Sequence, residues 1–263
     1  MTFNAIKSYK AILAAFVGAL CLHAGGAIAA EQTAAEEQAS KALFVPNLKL
    51  ATPSSALKKR AINVAYVEKD TSLGSGKYMC GGSKNATIAP AMKQIEMAFS
   101  RLSAQAWENI ELDYVLLCSN AQANGRDIGG IPVPPLKLLM LATGKDAVSQ
   151  RLPYTSLHEL YHLIELQNNS QNDNTWDKHF SGYNNSYGKK AGETRFGSGG
   201  VGFINGYARS FPHEERAELF SYILLNPTAL NEYISKSQDR EVATKIMILN
   251  TKCKQLLGAD ACL

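Results

Sequence analysis

Tyr154-Thr-Ser-Leu-His-Glu-Leu-Tyr-His-Leu-Ile-Glu-Leu166 is the most informative stretch of this chain. It contains His158-Glu159-Leu160-Tyr161-His162, an H-E-x-x-H match. On a helix, residues four apart share a face, so both imidazoles can be aimed at one divalent ion. Glu159 falls one step round, beside an open coordination position. There a carboxylate can take a proton from water and pass it to a leaving amine. The chain's own His and Glu frequencies give roughly one chance match per two hundred such chains. Pro153 suits a helix start, and Leu157, Leu160, Leu163, Ile164 and Leu166 supply apolar helical positions. The competing reading is an amphipathic helix with one surface and one core histidine.

A catalytic zinc takes three protein ligands and keeps one position open. The extended pattern H-E-x-x-H-x-x-G-x-x-H fails here, with Glu165 and Asn168 at its last two fixed positions. The third ligand is therefore sought in Gly202-Phe-Ile-Asn-Gly-Tyr-Ala-Arg-Ser-Phe-Pro-His-Glu-Glu-Arg-Ala-Glu-Leu-Phe220. Pro212 opens a helix on which Glu214 and Glu218 share a face, and Ala217 between them lets a second helix approach. Glu214 is the candidate ligand. Glu218 is the candidate partner for the outer nitrogen of a ligand histidine, fixing its tautomer. Glu215 points elsewhere. The alternative for these acids is a charged helix N-terminus favoured by the dipole. Tyr207, in the turn before the helix, is either a donor to the oxyanion of a tetrahedral intermediate or a core tyrosine. Rival ligands are His213, which is otherwise a substrate contact, and Asp173, Asp177 and His179 in the loop after His162, where nothing regular preorganises them.

Tyr207-Ala-Arg-Ser-Phe-Pro-His-Glu-Glu-Arg-Ala-Glu218, downstream of the H-E-x-x-H, resembles the catalytic domain of the anthrax lethal factor-like zinc peptidases of the gluzincin kind. Those families carry a Y…E-x-x-A-E segment after the metal helix. Trp176-Asp-Lys-His-Phe-Ser-Gly-Tyr183 is similar to the W…G-[FY]-x-Y loop of related bacterial zinc-binding metallopeptidases. The resemblance covers residues 150–225. It implies one zinc ion at His158, His162 and Glu214, Glu159 as general base and Tyr207 as transition-state stabiliser. It also implies a zincin-like α+β fold, with a small mixed sheet packed on the metal helix and a helical C-terminal half. Trp176 and His213 are candidate substrate contacts. Nothing before residue 130 resembles the toxin's substrate-binding domains, so no substrate preference follows.

Composition narrows the setting. At 263 residues and 46% hydrophobic content the chain can build a packed core. Residues 1–29 read as a secretory signal peptide: Lys7 and Lys10, an apolar run from Ala11 to Leu22, and an A-x-A site ending at Ala29. The run is short for a membrane span. Without the two leader lysines the formal charge falls from +4 to about +2, and no basic stripe interleaved with aromatics is present, so nucleic acid is not expected as a partner. The expected protein is an exported monomer, periplasmic or extracellular, acting on peptide or protein. Cys80, Cys118, Cys253 and Cys262 remain, and an even count in an exported chain suggests two disulfides. Three pairings are possible; Cys80–Cys118 and Cys253–Cys262 are expected.

Residues 30–60 are rich in Ala, Glu, Gln, Ser and Lys and read as a mobile or loosely docked arm before a single domain over 61–263. Strands are expected at 61–67, 110–118 and 135–142, and helices at 88–102, 212–225, 230–235 and 239–257. Residues 136–142, just before the metal helix, are expected at the sheet edge, where a substrate backbone would add as a strand. Residues 167–205 form a long Asn-, Ser- and Gly-rich segment that also holds Trp176, Phe180, Tyr183, Tyr187 and Phe196, expected to pack down as a functional loop. The reading from another class is a zinc-stabilised envelope module that captures a partner without cutting it.

Overall fold

The computed structural model describes residues 24–43, 45–73, 76–144, 147–170, 176, 187–188 and 192–259. The expected leader therefore lies almost wholly outside the described residues, as do Asp173, Asp177, His179 and Cys262. Two units are distinguished, Met1–Ala35 and Glu36–Leu263. Of the first, the described part is the beginning of helix α1 (Ala24–Leu43).

The second unit is α+β. A five-stranded mixed sheet has the order β1-β2-β5-β9-β8 and a four-stranded antiparallel sheet the order β3-β4-β6-β7. The strands are β1 Leu48–Ala51, β2 Asn63–Val67, β3 Thr71–Leu73, β4 Tyr78–Cys80, β5 Tyr114–Cys118, β6 Ala121–Ala123, β7 Arg126–Ile128, β8 Gly130–Val133 and β9 Leu138–Ala142. Helices are α2 Ser55–Lys59, α3 Asn85–Phe99, α4 Ala104–Glu108, α5 Leu152–Gln167, α6 Pro212–Leu225, α7 Pro227–Ser237 and α8 Arg240–Leu257.

β5 and β9 run parallel at the centre of the large sheet, and both are near-continuous apolar runs, as strands buried on two faces must be. Their side chains alternate between two cores. Val115, Leu117, Leu139 and Leu141 join the helices, with Ile95, Phe99, Leu160 and Phe220. Leu116, Cys118, Leu138 and Met140 face the opposite way, toward Leu43, Val45 and Leu48.

Part of the stretch expected to be a mobile or loosely docked arm, from Ala39 to Leu50, packs into that second core. β1 pairs antiparallel with β2; Leu43, Val45 and Leu48 are buried in this core, and Leu57 in the one against the helices. Its polar composition hid four well-placed apolar residues. The small sheet was also not foreseen, because strands of three residues carry no readable period; Asn124-Gly125, both at positive φ, turns β6 into β7 as a hairpin. The Cys80–Cys118 disulfide joins β4 of the small sheet to β5 of the large one. Cys253 is buried, and its expected pairing with Cys262 lies outside the described residues.

Candidate metal centre

α5 begins with Pro153 in its first turn and is buried from Leu152 to Leu157 on its inner face and then without interruption to Glu165. It is the central helix of the molecule, so its polar side chains must find partners inside the protein. α6 packs against it, again with proline at the start, and brings Glu214 over the two histidines. His158 Nε2 lies 2.9 Å from Glu214 Oε2, His162 Nε2 lies 3.3 Å from the same oxygen, and the two Nε2 atoms are 3.0 Å apart. The three residues form a group able to hold a metal ion.

The donor set fits a zinc ion. Two donors about 2.0–2.1 Å from a tetrahedral centre lie about 3.3 Å from each other, close to the separations seen. Two imidazole lone pairs cannot face each other at this distance without a proton or a cation between them. The His158 Nδ1 atom is 3.0 Å from Glu218 Oε1. A proton held at Nδ1 by that carboxylate leaves Nε2 as the donor atom. Glu218 is fixed in turn by Asn205, whose amide donates to its other oxygen and whose Oδ1 accepts from the Ala208 N–H at 2.8 Å. Arg151 Nη2 stands 3.8 Å from Glu218 Oε1.

The electrostatics follow from these contacts. Burial opposes charge on His158, but the Glu214 and Glu218 carboxylates outweigh it and raise its pKa from 6.5 to about 10. Burial also pushes the Glu214 carboxyl up, yet its contacts with His158, His162 and His213 win and hold it well below the usual carboxylate range. Glu159 shifts upward because burial dominates while the two histidines pull the other way. A carboxylate raised toward neutrality is better matched to base chemistry near neutral pH. Burial, with Glu214 and Glu159 nearby, keeps the Tyr207 phenol protonated far above its ordinary 10. Tyr207 sits in a 3-10 turn, Tyr207–Arg209, with its ring 5.9 Å from that of His158.

All of these groups line one cleft of about 950 Å³. Its lining includes Glu159, His158, His162 and Glu214, together with Tyr207, His213, Arg151, Asn120 and Ile131. His213 is 40% exposed, with Nε2 3.5 Å from Glu214 Oε1 and its ring stacked on Phe211. It stands at the rim rather than within the donor triangle. Trp176 is different. It is fully buried, packs under the Arg216 guanidinium at 5.7 Å and is no part of the cleft lining, so the expected substrate contact is a core residue. A large ring carrying one polar atom is most easily accommodated where its N–H has a partner, here Tyr187 Oη at 3.5 Å.

The strand expected at the sheet edge is also relocated. β9 is paired on both sides, with β5 and β8, and the edge is β8. Gly129 C=O accepts from Ala142 N–H at 2.8 Å, so alternation turns the backbone groups of Gly130 and Pro132 away from β9. Among the described residues no strand pairs with that outer side. Gly130 also abuts the candidate base: a Cβ there would come within 2.7 Å of Glu159 Cγ and 2.9 Å of Leu141 Cδ2. Nothing local in the sequence marks Gly130 or Arg151, since their neighbours in the cleft come from distant segments.

No protein-family model matches the chain, and no curated protein matches it. A crystal structure from Bacteroides caccae, described as a "putative zinc-binding metallo-peptidase", aligns with a TM-score of 0.45 and 16% identity, over 66% of this chain and 70% of the other. Similarity this slight carries no argument about activity.

Proposed function

We propose that this protein is a zinc-dependent peptidase acting outside the cytoplasm. The observation that carries the reading is the convergence of His158 and His162 from α5 with Glu214 from α6, in a cleft that also holds Glu159. Zinc there would supply Lewis acidity to a water and to the scissile carbonyl. Glu159 takes the water proton and delivers it to the leaving amine. The Tyr207 hydroxyl donates to the developing oxyanion. Glu218 holds the His158 tautomer.

An extended peptide adds along β8, receiving the Gly130 N–H and donating to the carbonyls of Gly130 and Pro132. The buried disulfide and the leader-like N-terminus both support export to an oxidising compartment.

Profiling of cleavage in a proteome-derived peptide library tests the assignment, with Glu159→Gln as the control. Glu159→Gln is expected to keep its zinc and to cleave about 10²–10⁴-fold more slowly. Full activity in that variant rules out the base. Zinc binding by the native chain with no cleavage of any peptide would favour a capture module instead.

A further inference from the structure

We infer that the buried ion-pair cluster of Arg216, Glu165 and Lys252 sets the rotation of α6 and thereby brings Glu214 to the histidines, with Lys245 and Glu215 paired on a neighbouring side of the same helix. The inference rests on the zinc reading and concerns residues that lie outside the cleft. Every residue of α6 from Glu215 to Leu224 is buried. A helix buried all round has no solvent face, so its apolar pattern cannot choose which side points where. Charges can.

Residues advance about 100° each along a helix, so Glu214, Glu215 and Arg216 leave α6 in three directions. Each meets a different partner. Glu214 goes to the donor triangle. Glu215 Oε1 accepts from Lys245 Nζ of α8 at 2.6 Å, and its other oxygen accepts from the Tyr187 hydroxyl. Arg216 Nε donates to Glu165 Oε1 at 2.6 Å and an Nη nitrogen to Oε2 at 3.3 Å. Lys252 of α8 donates to the same Oε1 at 3.0 Å. Glu165, Glu215, Arg216 and Lys245 are each 1% exposed or less.

Turning α6 by one position would take Glu215 and Arg216 away from these partners. A charge left alone in the interior is strongly destabilising, so one rotation is selected. Glu165 lies on α5 itself, three residues beyond His162. The Arg216 fork therefore locks α6 directly onto the helix that carries the imidazoles. Glu165, Arg216 and Lys252 are positioning residues; none of the three lines the cleft.

The test is zinc titration of the full chain, stripped of metal, against a competing chromogenic chelator, alongside thermal melting in chelator. The first variant is the triple substitution Glu165→Leu, Arg216→Met, Lys252→Met. Exchanging a buried ionic cluster for apolar side chains often leaves folding intact. The triple variant is expected to melt cooperatively yet bind zinc at least about tenfold more weakly. A merely structural role would move the melting point and leave the affinity of the folded molecules alone, and wild-type affinity in the folded triple variant overturns the inference. Arg216→Lys keeps the charge but loses the planar fork. It is expected to fold and to lose zinc affinity by a smaller factor; should the triple variant fail to fold, wild-type affinity in Arg216→Lys overturns the inference by itself. A native chain that binds no zinc refutes the zinc reading. A native chain that binds it, with variants unaffected, refutes only the positioning role.

Discussion

The two faces of the large sheet are built on different principles. On one face Leu116, Cys118, Leu138 and Met140 meet Leu43, Val45, Leu48 and the small sheet in an apolar cluster that includes the disulfide. On the other, the same strands present Val115, Leu117, Leu139 and Leu141 to helices that also bury Glu165, Glu215, Arg216, Lys245, His158 and His162. Apolar contact is non-directional, so the first face holds the sheet without having to specify angles closely. Buried charges and imidazoles demand particular partners, so the second face fixes orientation at the cost of stability. Chemistry that needs three donor atoms at one point belongs on the second kind of face.

The contrast can be broken most severely at Glu165. Glu165→Ala leaves Arg216 and Lys252 facing each other across a lost carboxylate, and denaturant unfolding is expected to show a loss of about 3–5 kcal/mol. Replacing Cys80 and Cys118 together by Ala acts on the other face. Opening a crosslink of sequence separation 38 is expected to cost about 2–4 kcal/mol in chemical unfolding, with zinc affinity unchanged. A matching drop in zinc affinity would show that the two faces are not separable in this way.

Gly130→Ala probes the strip between them. The added methyl must displace the Glu159 side chain, and kcat/KM is expected to fall about tenfold, or about 1.4 kcal/mol in the barrier, with little change in melting. At the small end, Lys41→Ala removes an exposed i,i+4 pair with Glu37 and is expected to change stability by less than about 0.5 kcal/mol.

The parts of this architecture that were legible in the sequence are those with a local period or a fixed spacing. His158 and His162 are four apart, Glu214 and Glu218 are four apart behind a helix-opening proline, and β5 and β9 are plain apolar runs. Helix α6 was expected at 212–225 and lies at Pro212–Leu225. The features that escaped depend on non-local pairing. β6 and β7 are three residues each, β1 is four residues inside a polar stretch, and the edge belongs to β8 because β9 is claimed on both sides. Trp176 was legible as an aromatic in a functional-looking loop, but its burial depends on Arg216 and Tyr187, which no spacing announces.

Pro132 has one more consequence. Because its nitrogen bears no hydrogen, the outer side of β8, unpaired among the described residues, supplies one amide donor, the Gly130 N–H, followed by two acceptors, the carbonyls of Gly130 and Pro132. A second folded copy, arriving edge-on, would find too few donors to extend the ladder, whereas a short flexible chain needs only two or three bonds to be held in place.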